Sequence, residues 1–152
     1  MPELSDSLIL PELTNSLILK RQCNIVATSP DGRRSICIDK LNKTEILRYL
    51  GQDERHIKKW GHIVELLLGG HVNHQLYDKE VINEKCKNVT AIKFFKGQEN
   101  DRIYCKEQTT TEGVFIIVAA YLYEKKKSQK LTKKEIPIIN KIAQYEYEIE
   151  KF

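Results

Sequence analysis

The sequence lacks the long apolar stretch that a membrane-spanning helix requires. Its longest apolar run is the nine residues from Val114 to Leu122, whereas a bilayer span takes about 20 residues. The opening Met-Pro-Glu-Leu-Ser-Asp carries acids where a secretory signal carries Lys or Arg. These two absences exclude a membrane-spanning protein and predict a cytoplasmic one.

Closely spaced metal or disulfide ligands are also missing. The four cysteines, Cys23, Cys37, Cys86 and Cys105, form no C-x-x-C pair, and in a chain without a secretory signal we expect reduced, partly buried thiols. His71-x-x-His74 matches none of the recurrent zinc-ligand spacings. We therefore predict no metal site, and we interpret these histidines as surface or loop-packing groups.

The chain does contain enough apolar material for one domain, and its charge is unevenly distributed. Its 152 residues are 41% hydrophobic and 30% charged, which excludes a large multidomain enzyme and a wholly disordered chain. Residues 1–84 hold 11 Lys and Arg against 12 Asp and Glu, whereas residues 85–134 hold 12 against 5. A local excess of positive charge is typical of a polyanion-binding protein; a solvated lysine-rich face is the equal alternative.

The first nineteen residues contain a tandem duplication, PELSDSLIL followed by PELTNSLIL. Two copies of nine residues are too few and too short for a solenoid. We interpret residues 1–19 as an N-terminal appendage and residues 20–152 as a single α+β domain.

The first half of that domain predicts a β-hairpin and a helical hairpin. Strands are expected at 21–28 and 33–39, because Ser-Pro-Asp-Gly between them is a strong turn signal. A first helix is expected from Asn42 or Thr44 to Gly51, and a second from about Asp53 to Leu68, from the helical spacing of their apolar residues.

The second half predicts a three-strand antiparallel meander and a last helix. Residues 71–87 have no clean period and are expected to be loop; strands are expected at 89–95, 101–107 and 114–123. A capping-box spacing begins at Thr132, and the apolar stripe that follows extends to Tyr147. Pro137 requires this helix to begin two or three residues later or to kink.

Three segments resemble the RelE/ParE superfamily of toxins, in particular its HigB-like branch. Residues 126–136, KKSQKLTKKEI, resemble that family's K-K-t-q-k-t-p-k-x-E-I segment. Residues 100–104, NDRIY, resemble its central yRvlY strand, and residues 89–94, VTAIKF, lie where the family has l-w-E-l-R-f. The resemblance extends roughly from Asn42 to Tyr147 and is clearest from Val89 onward.

This resemblance implies a toxin of a type II toxin–antitoxin system, with a cognate antitoxin as one partner and messenger RNA on the ribosome as the other. The implied reaction is attack by a ribose 2′-OH on the neighbouring phosphate, with no metal or cofactor required. The chain departs from the family pattern at two positions of the first meander strand. Ala91 stands where the family has Glu, and Lys93 stands where the family has Arg.

The same resemblance implies the site residues. Arg102 would bind the scissile phosphate with Lys93 beside it on the neighbouring strand. Tyr147, or alternatively Tyr145, near the end of the last helix would stack a base or assist proton transfer. Lys126, Lys127 and Lys130 would hold RNA phosphates. We expect Arg102 at an exposed strand position, where Arg102→Ala should change stability by about 0.5 kcal/mol or less.

Each of these residues also has a structural interpretation. Arg102 would be a surface residue paired with Asp101 or Glu107, the lysines would belong to a solvated loop, and Tyr147 would belong to the core stripe. The alternative functions are a RelE/ParE-like module without catalysis that binds nucleic acid or protein, including a topoisomerase poison, and an unrelated α+β nucleic-acid-binding module.

Overall fold

The computed structural model describes residues 18–71, 73–80, 86–95, 100–124 and 133–150, and these form seven strands and three helices. The strands are β1 (Leu19–Thr28), β2 (Arg34–Asp39), β3 (Tyr77–Lys79), β4 (Val89–Lys93), β5 (Arg102–Thr109), β6 (Phe115–Tyr123) and β7 (Tyr145–Ile149). The helices are α1 (Lys43–Leu50), α2 (Glu54–Leu68) and α3 (Glu135–Ala143). The α+β fold class predicted from the sequence is confirmed.

All seven strands belong to one sheet, in the order β3-β4-β5-β6-β2-β1-β7. Neighbours from β3 to β6 pair antiparallel, as do β1 and β2. Two pairs are parallel, β2 with β6 and β1 with β7. The sheet is therefore mostly antiparallel, with its first and last strands side by side at one edge.

The predicted β1–β2 hairpin is confirmed, and its turn shows why. Gly32 has a φ of +75°, a backbone conformation that favours glycine. The Asp31 side chain accepts hydrogen bonds from the Ser29 hydroxyl (2.7 Å) and the Arg33 backbone N–H (3.0 Å). These local contacts fix the reversal without help from the rest of the fold.

The predicted helical hairpin is also confirmed, and it covers one face of the sheet. The Asp53 side chain caps α2 by accepting from the backbone N–H of His56 at 2.8 Å, as N-cap residues do. Its core joins Ile46 of α1 and Ile63 of α2 to β-sheet residues such as Ile36 and Ile103.

Helix α3 covers the opposite face, and we call the core beneath it the α3-side core. Ile139 and Ile142 of α3 pack there with Val118 and other sheet residues. The helix begins at Glu135, three residues after Thr132, which leaves Pro137 in its first turn, where its missing N–H removes no intrahelical hydrogen bond.

Two strands correct the sequence prediction. The last helix ends at Ala143, and Tyr147 lies on β7 rather than on helix, because residues 145–149 pair in parallel with β1. Within the predicted loop, residues 77–79 form β3, a short edge strand whose existence depends on pairing with β4.

The sheet curls around the α3-side core so far that β5 reaches β7. Three strands separate these two in the sheet order, yet the side-chain amide of Gln108 bonds both backbone groups of Tyr147. It donates to the Tyr147 carbonyl (2.8 Å) and accepts from the Tyr147 N–H (2.9 Å). Nearby, Nζ of Lys106 donates to the carbonyl of Ala143 at the end of α3 (2.7 Å).

All four cysteines are buried free thiols. Among the described helices, none combines the length and the apolar character needed to cross a membrane.

Candidate functional site

Charged side chains gather on the α3 side of the sheet, where β3, β4 and β5 pair. The register places Lys93 opposite Arg102 and Ala91 opposite Tyr104. Cross-strand partners share one face of a sheet, and Ala91 and Tyr104 belong to the α3-side core. We call the group on this face the polar cluster, which consists of Asp78, Glu80, Lys93, Arg102, Tyr104 and Glu135.

Glu80 and Arg102 form an ion pair inside the polar cluster. Glu80 directly follows β3, and its backbone N–H donates to the Val89 carbonyl (2.9 Å). Nη1 of Arg102 lies 3.6 Å from Oε1 of Glu80, and the two side chains are only 10% and 11% exposed. Charges this deeply buried need a partner because little water reaches them, and Arg102 favours the ionised form of Glu80.

Tyr104 and Glu135 form the second contact of the polar cluster. The Tyr104 hydroxyl donates to Oε2 of Glu135, and both residues are fully buried. Glu135 is the first residue of α3, a position where the helix dipole favours negative charge. The contact anchors the start of α3 on β5, just as Lys106 anchors its end.

The electrostatics of the polar cluster shift its titratable groups. Burial raises the pKa of the Glu80 carboxyl; Arg102 and Lys93 oppose this increase, and Glu135 and Asp78 add to it. Burial and the hydrogen bond to Glu135 raise the pKa of Tyr104, which keeps its hydroxyl protonated. Such groups beside cations are typical of catalytic sites and of structural ion-pair networks.

His74 extends the polar cluster towards solvent. Its Nδ1 lies 3.1 Å from Oδ1 of Asp78, and three quarters of its side chain is exposed (74%). Among the described histidines, His74 is the one that forms an ion pair with a member of the polar cluster.

The structure brings together two of the sequence-predicted site residues. Lys93 and Arg102 are cross-strand partners, as the resemblance implied. The prediction that Arg102 is exposed is wrong, since only 8% of the residue is accessible. Arg102 is paired with Glu80, and its burial removes the basis for expecting a small stability effect of Arg102→Ala.

Tyr147 belongs to a different network. Its hydroxyl donates to Oδ2 of Asp39 at 2.6 Å, and Arg21 makes a bidentate contact to the same carboxylate at 2.7 and 2.8 Å. Asp39 also accepts from the backbone N–H groups of Leu41 and Asn42. This fully buried carboxylate ties β1, β2 and β7 together, which commits the Tyr147 hydroxyl to a structural contact.

The remaining predicted site residues, Lys126, Lys127 and Lys130, lie outside the described residues. Sequence reasoning missed Glu80 as a site residue because it follows a three-residue strand in a segment without periodicity. Tyr104 had a usable signal, since Arg102, Tyr104 and Lys106 alternate with apolar residues along one strand and so share a face.

Within the described ranges, no group of three or more His, Cys, Asp or Glu residues is placed to hold a metal ion. No family model, curated protein or solved structure matches this chain.

Proposed function

We propose that this protein is a RelE/ParE-like toxin of the HigB-like branch, which cleaves messenger RNA on the ribosome by 2′-OH attack on the neighbouring phosphate. The observation that carries the proposal is the cross-strand pair Lys93–Arg102 beside a buried carboxylate, Glu80. The reaction needs cations near the phosphorane and a group that takes the 2′-OH proton, and this pair and this carboxylate provide both residue types.

The burial of the Glu80–Arg102 ion pair supports an electrostatic role. Charges act more strongly on one another where water is excluded, and cations held in place before the reaction stabilise negative charge that develops in the transition state. An RNA phosphate that approached Arg102 would share it with Glu80. Lys93 lacks the planar fork of the arginine found at this position in the family, so we assign the bidentate phosphate contact to Arg102 alone.

Arg102→Lys tests the phosphate contact without removing the charge. We expect cleavage of messenger RNA in a translation extract to fall roughly 100-fold, because the variant has one directed donor fewer at the reacting phosphate. Arg33→Lys is the matched control, since Arg33 is exposed in the β1–β2 turn. New 5′ ends in coding regions of induced cells, mapped by primer extension, report the activity; unchanged transcripts and wild-type cleavage by Arg102→Lys each contradict the proposal.

The three lysines Lys126, Lys127 and Lys130 are proposed to hold RNA phosphates rather than to take part in the chemistry. Replacing Lys126 and Lys127 by Gln should weaken ribosome binding and lower the log–log salt slope by about one unit for each phosphate that the variant no longer binds. Cleavage positions should not move. A double variant with the wild-type salt slope would assign these lysines to a merely solvated loop.

One observation favours a second function, a related module that binds protein or nucleic acid without catalysis. Arg102 is already paired with a buried acid, and the polar cluster holds three carboxyl groups against two basic side chains, so it has no excess of positive charge for RNA. Wild-type protein that arrests growth with intact transcripts and altered plasmid supercoiling would select this alternative as a topoisomerase poison.

A further inference from the structure

We propose that Glu80 is the general base that takes the proton from the attacking 2′-OH, an inference that rests on the proposed ribonuclease function. The 2′-oxygen would form a bond to phosphorus while the bond from phosphorus to the 5′-oxygen breaks. The 2′-OH proton would pass to the Glu80 carboxylate, the leaving 5′-oxygen would take a proton from water, and the hydroxide so formed would remove the proton from Glu80 and restore its carboxylate. The products are a 2′,3′-cyclic phosphate and a free 5′-OH.

The small side chain of Ala91 makes this arrangement possible. Glu80 is held beside Val89 by its backbone hydrogen bond, whereas Arg102 lies opposite Lys93, at the other end of β4. Ala91 lies between these positions on the same face and is fully buried. A larger residue there would occupy the space through which Glu80 and Arg102 meet. The family pattern has a glutamate in β4, at the position of Ala91. In this chain a different acid, Glu80, reaches the same face of the sheet from the position directly after β3.

The groups that face Glu80 set its proton affinity. Arg102 on β5 and Lys93 on β4 favour the carboxylate, whereas Asp78 on β3 and Glu135 on α3 disfavour it. Tyr104 remains a neutral donor to Glu135. Burial outweighs the cations and raises the pKa of Glu80, which makes it a stronger base than an exposed glutamate. A phosphate on Arg102 would draw the cation away and strengthen this effect.

His74 is the competing base. It lies beside Asp78 in the arrangement that orients a histidine for proton transfer, but its side chain is exposed, whereas Glu80 is buried and paired with Arg102. The two candidates are distinguished by substitution, because the pH dependence of the rate should follow the residue that takes the proton.

The test measures single-turnover cleavage of a defined messenger RNA on programmed ribosomes as a function of pH, with the full chain. We expect Glu80→Gln to lower the cleavage rate roughly 10²- to 10⁴-fold while ribosome binding is retained. The variant should also lose the acid limb of the pH–rate profile, which is the fall in rate as the pH is lowered and the base is protonated. Glu65→Gln, the same change on the exposed face of α2, should leave both unchanged. His74→Asn should keep the acid limb.

Glu80→Asp keeps a carboxylate one methylene shorter and covers the case in which Glu80→Gln fails to fold. It should cleave slowly and retain an acid limb. A wild-type rate and profile in Glu80→Gln, or in Glu80→Asp if the glutamine variant is unfolded, overturns the assignment, as does loss of the limb in His74→Asn. Wild-type protein that cleaves no RNA instead contradicts the ribonuclease function itself, so the two failures are distinguishable.

Discussion

Replacing Tyr147 by Phe separates a structural role of this residue from the catalytic role that the resemblance implied. The change removes one hydroxyl, which donates to Asp39 over 2.6 Å inside the protein. Hydrogen bonds to charged groups contribute about 1.5–3 kcal/mol. For a chain of this size each kcal/mol lowers Tm by about 2–4 °C, so we expect a decrease of roughly 3–12 °C in the melting temperature.

The matched control is Tyr145→Phe in the same strand. Tyr145 packs against Arg21 through its ring, with the guanidinium 4.5 Å from the ring centroid, and that contact survives removal of the hydroxyl. We expect a smaller decrease than for Tyr147→Phe, about 1 kcal/mol or less. Thermal unfolding followed by circular dichroism gives both values, and RNA cleavage is measured well below either Tm. Loss of cleavage by Tyr147→Phe at an unchanged Tm would refute the structural assignment.

Three further changes test other contacts. Gln108→Ala should cost about 1–3 kcal/mol in urea unfolding because it leaves both backbone groups of Tyr147 without their partner, and the Tyr147 amide should exchange faster; an unchanged midpoint and exchange rate would contradict this. Arg102→Ala should cost about 3 kcal/mol by leaving Glu80 buried without its cation, with part of the stability recovered when Glu80 is also changed to Gln; a cost that persists in full would point to packing instead. Burial lowers the pKa of Lys106, so between the folded and the unfolded pKa the unfolded chain binds more protons and stability should rise with pH. Lys106→Met should lack this alkaline rise, and parallel stability–pH curves for the two proteins would contradict the assignment.

The elements that were predictable from sequence are those fixed by neighbours in the chain. The turn at Asp31 and Gly32 uses hydrogen bonds within five residues, and α2 carries its own cap at Asp53. β7 was missed because Ala143 and Tyr147 have helical spacing while Tyr145 and Tyr147 alternate as in a strand, and a short segment satisfies both patterns. Pairing with β1, more than a hundred residues away, decides between them.

In the candidate site, too, the features that depend on distant parts of the chain were not predictable from the sequence. The resemblance placed Lys93 beside Arg102 on the neighbouring strand, and the register of β4 and β5 brings the two residues together. The burial of Arg102 was not predictable, because it depends on contacts formed only in the folded sheet, such as the ion pair with Glu80. Glu80 was beyond reach for a related reason: its position depends on the pairing of β3, and its access to Arg102 depends on the small size of Ala91. Both are properties of the assembled sheet rather than of any local segment.

The parallel pairing of β1 with β7 has a consequence for synthesis of the chain. Residues 19–23 find their outer partner only in residues 145–149, and the link is reinforced by Asn24 and Glu150, whose side chains bond across 126 positions. At about 5–20 residues per second, β1 is complete roughly 6–23 s before β7 begins to be made. During that interval the hairpin carries an open edge, which is a template for unwanted pairing. Refolding of the finished chain has no such interval, so we expect chaperone dependence to be greater during translation than after dilution from urea.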